Sequence, residues 1–143
     1  PESSAYHILG GLKFNGDLRV DALNSALSAL VERHESLRTS LHEEAGESFQ
    51  VIHPAYVLTA DVIDFSGLRD QVVIASRLNE AAAQDARQPF DLQQGRPVRA
   101  TLVKCATNEF VLLMSFHHAA VDGWSMNRLM AELAECYNAA IEC

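Results

Sequence analysis

The sequence predicts a mixed α/β sandwich in which one β-sheet is covered by helices. Three segments place apolar residues at spacings of three, four and seven, which mark one face of an α-helix. Between them lie short segments of β-branched and aromatic residues bounded by turn residues. At 143 residues, the chain has the length of one compact domain, or of one lobe of a larger one. We expect the element order β α β β β α β β α.

The first strand and the first helix are predicted close to the start of the chain. Residues 6–14 mix aromatic and aliphatic side chains and end at a turn, residues 15–17. A helix begins near Val20, with Asp21 in the first turn, where an acidic side chain is favoured. The apolar face of this helix carries Leu23, Leu27, Leu30, Val31 and Leu37.

A hairpin, a further strand and a second helix follow. Residues 39–43 and 48–53 predict two strands with a short loop between them, and residues 58–63 predict another strand. The second helix follows Ser66 and ends before Pro89, because the residue before a proline disfavours helix. Its predicted apolar face carries Leu68, Val72, Ala75, Leu78, Ala82 and Ala86. Its predicted outer face carries Asp70, Arg77, Glu80 and Asp85.

The last third of the chain predicts two paired strands and a final helix. Residues 98–105 and 109–116 are strands that turn at residues 106–108. The second of these strands is continuously apolar over residues 110–114, which indicates a central strand covered on both faces. The final helix begins at about Ser125 and carries an apolar stripe of Met126, Leu129, Met130, Leu133, Tyr137 and Ile141.

Composition excludes several classes of protein. With 48% hydrophobic and 21% charged residues, the chain is ordinary globular protein rather than a disordered one. A net charge of −8 argues against nucleic acid or an anionic membrane as the main partner. The longest apolar run, residues 110–114, is far shorter than the ~20 residues of a membrane-spanning helix. No charged and then apolar leader opens the sequence, so we expect no export.

The three cysteines predict free thiols rather than a disulfide framework or a metal site. Cys105, Cys136 and Cys143 have no CxxC spacing and cannot all pair within one chain. Free thiols fit the reducing conditions of the cytoplasm, where we expect the protein to be located. Nothing near these cysteines in the sequence lowers a thiol pKa, so we interpret them as packed side chains rather than nucleophiles.

Residues 115–125 are the most informative segment about chemistry. A buried strand leads directly into His117 and His118, and Asp122 and Gly123 follow before a helix begins. Side chains alternate at a strand end, so we expect the two histidines to point in opposite directions. One imidazole then faces a cavity while the other is held within the protein. Because imidazole titrates near neutral pH, it suits proton transfer in a group-transfer reaction.

Two other interpretations of this segment are weaker. A single histidine at a strand end is usually a hydrogen-bonded structural residue, but a histidine pair followed at fixed spacing by Asp-Gly is rarer. His118 and Asp122 lie four residues apart, and both side chains can bind zinc or iron. A third ligand is not evident, so we expect no metal. The other histidines are scattered without ligand spacing, at His7, His34, His42 and His53.

Two motifs resemble one protein family. Residues 117–123, HHAAVDG, resemble the HHxxxDG motif of condensation domains of non-ribosomal peptide synthetases, a motif shared across the chloramphenicol acetyltransferase-like superfamily. Residues 33–39, RHESLRT, resemble the RHExLRT segment that follows the first helix of those domains. Residues 5–8 and 88–92 also resemble the family, so the resemblance covers nearly the whole chain. It implies a chloramphenicol acetyltransferase-like lobe, with a mixed sheet covered by helices.

The resemblance also implies an activity and a set of site residues. In that family, an acyl or peptidyl thioester on the phosphopantetheine arm of one carrier protein is transferred to an aminoacyl amine on another carrier. By resemblance the arms meet at His118, with His117 as its structural neighbour. Gly123 completes the candidate catalytic set, because its backbone N–H can donate toward the substrate. Trp124 and Ser125 are candidates for the wall of the substrate tunnel, and no cofactor is expected to bind the chain directly.

Two roles remain open for Asp122, and three for His118. Asp122 either orients His118, as in a hydrolase triad, or is a buried structural carboxylate. The resembling families hold this aspartate with an arginine, and Arg38 is the candidate here because a guanidinium binds a carboxylate bidentately. His118 either positions the attacking amine, accepts its proton or stabilises the tetrahedral intermediate.

The family's first motif, a Ser-x-Ala/Gln segment, and its C-terminal lobe have no counterpart among these residues. We therefore expect residues 1–143 to be an N-terminal lobe that is inactive in isolation. The expected partners are the C-terminal lobe, neighbouring synthetase domains, and the donor and acceptor carrier proteins, in a pathway such as antibiotic biosynthesis.

Three rival functions are kept open. An epimerisation domain retains both histidines. Another acyltransferase of the superfamily would use coenzyme A or a carrier and an alcohol, but residues 33–39 and Trp124-Ser125 argue against it. The third rival is a non-catalytic interaction module, such as a lobe that has lost its catalytic residues. The presence of His117, His118 and Asp122 argues against such a loss.

Overall fold

The computed structural model describes residues 7–90, 94–117 and 126–142. Over these ranges the order of strands and α-helices is the predicted one, with one 3₁₀ turn added after the first helix. The strands are β1 (His7–Asn15), β2 (Thr39–Glu44), β3 (Glu47–Ile52), β4 (Asp61–Asp64), β5 (Val98–Ala106) and β6 (Glu109–His117). The helices are α1 (Val20–Arg33), α2 (Gln71–Arg87) and α3 (Met126–Ile141), and the 3₁₀ turn is Glu35–Arg38.

The main sheet has the strand order β1-β6-β5-β4, and β2 and β3 form a separate hairpin. β6 lies between β1 and β5 and is antiparallel to both, whereas β4 is parallel to β5. The continuously apolar segment of residues 110–114 is therefore in an interior strand, as predicted. The mixed sheet follows from the short turn between β5 and β6 and the long crossover, through α2, between β4 and β5.

The two faces of the sheet are covered by different helices. Leu102 and Leu112 are opposite each other on the face that packs against α1 and α3, in the larger core cluster. Val103 and Val111 are opposite each other on the other face, in a smaller cluster with α2. Because side chains alternate along a strand, successive residues of β6 face these two cores in turn.

Helix α1 is shorter than its apolar pattern predicts. It ends at Arg33, and the N–H of His34 donates to the carbonyl of Leu30 over 3.0 Å. Leu37, the last residue of the predicted apolar face, is buried by the 3₁₀ turn instead, where it is 2% exposed. The apolar spacing therefore identified the core residues, but not the change from α-helix to 3₁₀ turn.

The hairpin and β4 differ slightly from prediction. The loop between β2 and β3 is only Ala45 and Gly46, both with positive φ (54° and 79°), so it is tighter than residues 44–47. β4 begins at Asp61 rather than at residue 58, because the preceding backbone bonds to α1. The N–H of Leu58 donates to Ser28 Oγ over 3.0 Å, and the N–H of Ala60 donates to Asn24 Oδ1 over 2.9 Å.

The predicted apolar face of α2 is correct for Leu78 and Ala82, which pack with the smaller core cluster, and wrong for Val72. Val72 is 77% exposed, whereas Ile74 is 5% exposed and packs with Val103 and Leu113. The helix begins at Gln71, capped by the Asp70 carboxylate, which accepts from the Val72 N–H over 2.9 Å. Asp85, which was predicted on the outer face, also faces the sheet, where its side chain is 15% exposed.

None of the described helices is long and apolar enough to cross a bilayer.

Candidate active site

The candidate site begins where β6 ends, at His117. This residue is 6% exposed, and its backbone N–H donates to the carbonyl of Pro97 over 2.9 Å, just before β5 begins. Ser115 and His117 are two residues apart on the strand and so lie on the same face, the one that α2 covers. The histidine that immediately precedes His118 is therefore held within the protein, and both its backbone and its side chain are enclosed.

An aromatic ring and a guanidinium are stacked beside His117. The Phe90 ring meets the His117 ring edge-on, with centroids 6.2 Å apart and an interplanar angle of 87°. The Arg99 guanidinium carbon lies 4.0 Å from the centroid of the same Phe90 ring. Phe90 is 3% exposed, so the ring is a buried spacer between a cation and an imidazole.

Asp85 connects α2 to both strands that lead to the site. Its carboxylate accepts from Arg99 Nε–H over 3.2 Å and from the Ser115 hydroxyl. Arg99 and Ser115 are direct partners across β5 and β6, so one carboxylate binds a cross-strand pair. The sequence pattern predicts Asp85 on the outer face of its helix, so it does not indicate this role.

Arg99 also closes the C-terminal end of α2. Its Nη2 donates to the carbonyls of Asp85 over 2.8 Å and Gln88 over 2.9 Å, and its Nη1 donates to that of Pro89 over 3.4 Å. A cation at a helix C-terminus satisfies the last carbonyls and is favoured by the helix dipole. The charged residue inside β5 therefore anchors the segment that carries Phe90.

Arg38 joins the end of α1 to the end of the hairpin. Its Nε donates to the carbonyl of Val31 over 3.0 Å, its Nη1 to that of His53 over 2.7 Å, and its Nη2 to that of Glu32 over 3.4 Å. A backbone hydrogen bond joins the same two residues, because the His53 N–H donates to the Arg38 carbonyl over 2.8 Å. The guanidinium thus has a structural role through three backbone carbonyls.

Tyr56 packs against the 3₁₀ turn that contains Arg38. Its hydroxyl donates to the carbonyl of Leu37 over 2.7 Å, and the Arg96 guanidinium carbon is 4.5 Å from its ring centroid. Burial raises the pKa of Tyr56 to about 12, although the nearby Arg96 opposes the change. The phenol therefore stays protonated at neutral pH and keeps its donor role.

The remaining predicted site residues lie outside the described residues. They are His118, Asp122, Gly123, Trp124 and Ser125. Their roles, and the pairing of Asp122 with Arg38, stay predictions. The structure does describe the strand that leads into them and the packing that holds this strand.

Comparison with protein families resolves what kind of chain carries this site. The family model for the condensation domain matches residues 1–142, which is nearly the whole sequence. The chain belongs to the condensation-domain family. The resemblance noted from residues 33–39 and 117–123 is therefore confirmed at the level of the family.

Curated relatives of this condensation-domain chain are peptide synthetases. It is 40% identical over 139 residues to one of the proteins of the linear gramicidin synthase of Brevibacillus parabrevis, covering 97% of the chain and 2% of that protein. It is 36% identical over 140 residues to the cyclosporin synthetase simA of Tolypocladium inflatum, covering 97% of the chain and 1% of that protein. The chain thus spans only a small part of each of these relatives.

Solved structures confirm the fold class. SgcC5 from Streptomyces globisporus superposes with a TM-score of 0.85 at 30% identity, covering 94% of the chain and 30% of SgcC5. The first condensation domain of the CDA synthetase superposes with a TM-score of 0.85 over 99% of the chain and 37% of that structure. At 23% identity, the second match speaks for the fold alone. The mixed sheet covered by helices is therefore the chloramphenicol acetyltransferase-like arrangement that the sequence predicted.

The cysteines that the structure describes in this condensation-domain chain are buried, and the two residues considered as metal ligands, His118 and Asp122, lie outside the described residues. Cys105 and Cys136 are free and buried, as predicted, and Cys143 lies outside the described residues. Burial raises the pKa of the Cys105 thiol, and Glu109 raises it further, so this thiol is protonated near neutral pH. Within residues 7–90, 94–117 and 126–142, no three histidine, cysteine or acidic side chains converge as a metal site.

Two signals in the sequence pointed to the residues that were missed. Asp85 lies in the last turn of its helix, where a carboxylate is unfavourable unless a cation compensates it. Arg99 is a charged residue near the start of a strand that is otherwise mostly apolar. Each signal marks a charge that needs a partner, but neither identifies which partner.

Proposed function

We propose that the chain is the N-terminal lobe of a condensation domain that forms an amide bond between two carrier-bound substrates. The donor is an acyl or peptidyl thioester, and the acceptor is an aminoacyl group. The observation that carries this proposal is the family match over residues 1–142, with the HHxxxDG motif starting at the end of the central strand β6. The curated relatives are peptide synthetases, which supports carrier-bound acyl and aminoacyl groups as the substrates.

The proposed reaction is an acyl transfer from sulfur to nitrogen. The acceptor amine attacks the thioester carbonyl carbon, the carbon–sulfur bond breaks, and the donor arm leaves as a thiol that takes up the proton lost by nitrogen. A free α-amino group has a pKa of about 7.7–8.0, so a useful fraction is neutral near pH 7.5. A strong base is therefore unnecessary, and the proposed role of His118 is to position the amine, accept its proton and pass that proton to the departing sulfur.

The substrates in this proposal arrive on phosphopantetheine arms, which the carrier proteins hold covalently. The chain itself supplies one wall of the tunnel, with Trp124 and Ser125 as wall residues and the Gly123 N–H as a donor toward the substrate. The proposed partners are the two carriers, the C-terminal lobe of the domain and the neighbouring synthetase domains. Asp122 has the structural role, with Arg38 as its partner.

The test is the substitution His118→Ala in the full-length protein, assayed with both carriers loaded. We expect peptide-bond formation to fall by about 100-fold or more, which is the range for loss of a proton-transfer group. The matched control is His42→Ala, which removes an imidazole from the β2–β3 hairpin, where its ring stacks on Phe49 with centroids 5.2 Å apart. This control is expected to keep turnover within about twofold, as is usual for changes distant from the chemistry.

Product analysis separates the proposal from its rivals. Near-normal turnover of His118→Ala would contradict the role of this histidine. A donor whose α-carbon inverts without any amide product would identify an epimerisation domain, and transfer only to an alcohol would identify another acyltransferase. Mass spectrometry of the released product, with chiral analysis of its amino acids, distinguishes the three results.

A further inference from the structure

A polar network lies beneath the end of the motif strand, outside the HHxxxDG motif itself. Asp85 accepts from Arg99 and from Ser115, which are opposite each other on β5 and β6. The side chains of Asp85 and Arg99 are 15% and 26% exposed, so the ion pair is largely removed from water. Ser115 is 1% exposed, and its hydroxyl needs a buried acceptor, which the carboxylate provides.

Asp85 lies at a helix end that disfavours a carboxylate unless a cation compensates it. The residue lies in the last turn of α2, where the partial negative charge of the helix end repels a carboxylate. Arg99 compensates both charges, because it binds the carboxylate and also donates to the carbonyls of Asp85 and Gln88. A pair of uncharged side chains at positions 85 and 99 would pack without needing these compensating bonds. A buried ion pair is weak evidence for stability, whereas the contacts of this one join the end of α2 to β5 and β6.

What the network holds is the side chain of His117. Arg99 stacks on one face of the Phe90 ring, and the His117 ring contacts the same phenyl group edge-on. The His117 backbone is held separately, through its bond to the Pro97 carbonyl. Any shift of the α2 end relative to β5 and β6 would move Phe90 and therefore the imidazole.

We propose that Asp85, Arg99 and Phe90 are positioning residues of the acyl-transfer site. They act by holding the side chain of His117, the residue that precedes His118, and none of them touches substrate. This proposal rests on the proposed function for its effect on turnover. The chemistry demands such support, because a displacement of about 1 Å in a reacting geometry can cost about 100-fold in rate.

The experiment compares Asp85→Asn with Asp64→Asn in the full-length protein. Asparagine keeps the shape of Asp85 and an acceptor for Ser115 but loses the charge that Arg99 binds. Asp64 is the matched control, because its carboxylate also accepts from a serine hydroxyl, that of Ser66 at 2.5 Å, but in an exposed turn. We expect Asp85→Asn to lower kcat about tenfold or more with the KM of both loaded carriers unchanged, and Asp64→Asn to change neither constant.

A second measurement follows the environment of the His117 ring by NMR and does not depend on turnover. Histidine labelled with ¹³C at Cε1 gives one NMR signal per ring, and the signal lost in His117→Asn is that of His117. We expect this signal to shift in Asp85→Asn and not in Asp64→Asn. Phe90→Leu keeps an apolar side chain but removes the flat ring, and we expect the same shift from it even if Asp85→Asn folds poorly.

The two measurements distinguish the two proposals. If the unaltered protein forms no amide bond, the proposed function fails, and the His117 signal alone still decides whether Asp85 positions this ring. An unmoved His117 signal in both Asp85→Asn and Phe90→Leu would overturn the positioning proposal. So would a kcat of Asp85→Asn, per folded molecule, within about twofold of an active unaltered protein.

Discussion

Arg38 shows how one side chain can secure a junction between elements. Its three donors bind carbonyls at the end of α1 and just after the end of β3. A guanidinium suits this position because its donors are fixed in a plane and it is always charged. The role is already structural before any contact with Asp122 is considered.

The first prediction at the residue scale concerns the pairing of Arg38 with Asp122. We expect Arg38→Ala to lower the free energy of unfolding by about 3 kcal/mol, because several charge-assisted hydrogen bonds are lost. Asp122→Ala is expected to destabilise the domain and to lower activity as a secondary effect. If the two side chains pair, the loss of unfolding free energy in the double variant will be smaller than the sum of the two single losses by about 1 kcal/mol or more.

Denaturant unfolding of the full condensation domain checks this double-mutant cycle. Arg38→Lys serves as the control that keeps the charge but not the fork of donors. Losses that simply add would contradict the pairing, and a fully stable but inactive Asp122→Ala would favour the alternative in which Asp122 orients His118.

At the scale of elements, α2 is the helix whose orientation matters most to the site. Its inward face combines apolar contacts near its start, through Ile74, with the polar contact of Asp85 in its last turn. Ile74 and Asp85 are 11 residues apart, which is about three turns of a 3.6-residue helix, so both side chains face the sheet. The orientation of α2 that buries Ile74 therefore also places Asp85 beside Arg99.

The orientation of α2 leads to a paired prediction. We expect Ile74→Ala to cost about 2–4 kcal/mol of unfolding free energy, because it empties a buried site in the smaller core cluster. Val72→Ala on the same helix is expected to change it by less than about 0.5 kcal/mol, because Val72 is exposed. Urea unfolding of the condensation domain measures both values, and equal losses from the two variants would contradict the observed face.

At the scale of the whole molecule, the described part of the chain leaves apolar side chains in contact with solvent. The most exposed of those on strands are Phe49 (43%), Ile52 (52%) and Val62 (54%). All six residues of β3 are exposed. Where such side chains form a contiguous patch, they mark contact with another part of a protein or with a second copy.

The corresponding prediction is that the purified 143-residue chain does not catalyse condensation and tends to self-associate. A tunnel between two lobes needs both walls, and catalysis requires donor and acceptor to be held in near-attack geometry. Carrier-loaded turnover assays and light scattering test the two parts. Robust product formation by the chain alone would contradict the first part, and a strictly monomeric chain at high concentration would contradict the second.

Local patterns in the sequence were sufficient for the element order, the central strand and the family. Apolar periodicity is a property of neighbouring residues, so β6, α3 and the buried face of α1 could be predicted from it. The motifs at residues 33–39 and 117–123 are also local, and the family match over residues 1–142 confirmed what they indicated. The sequence also determined the composition and charge that disfavour nucleic acid as a partner.

Only the tertiary structure decided which face of α2 is buried and what Asp85 binds. Both Val72 and Ile74 are apolar, and helical spacing permits either of two overlapping faces, so the choice depends on how α2 meets Val103 and Leu113. The same holds for Arg99 and Ser115, which are 16 residues apart in sequence and become partners only through the register of β5 with β6. Side-chain partnerships across elements depend on distances that folding creates, and no local pattern contains them.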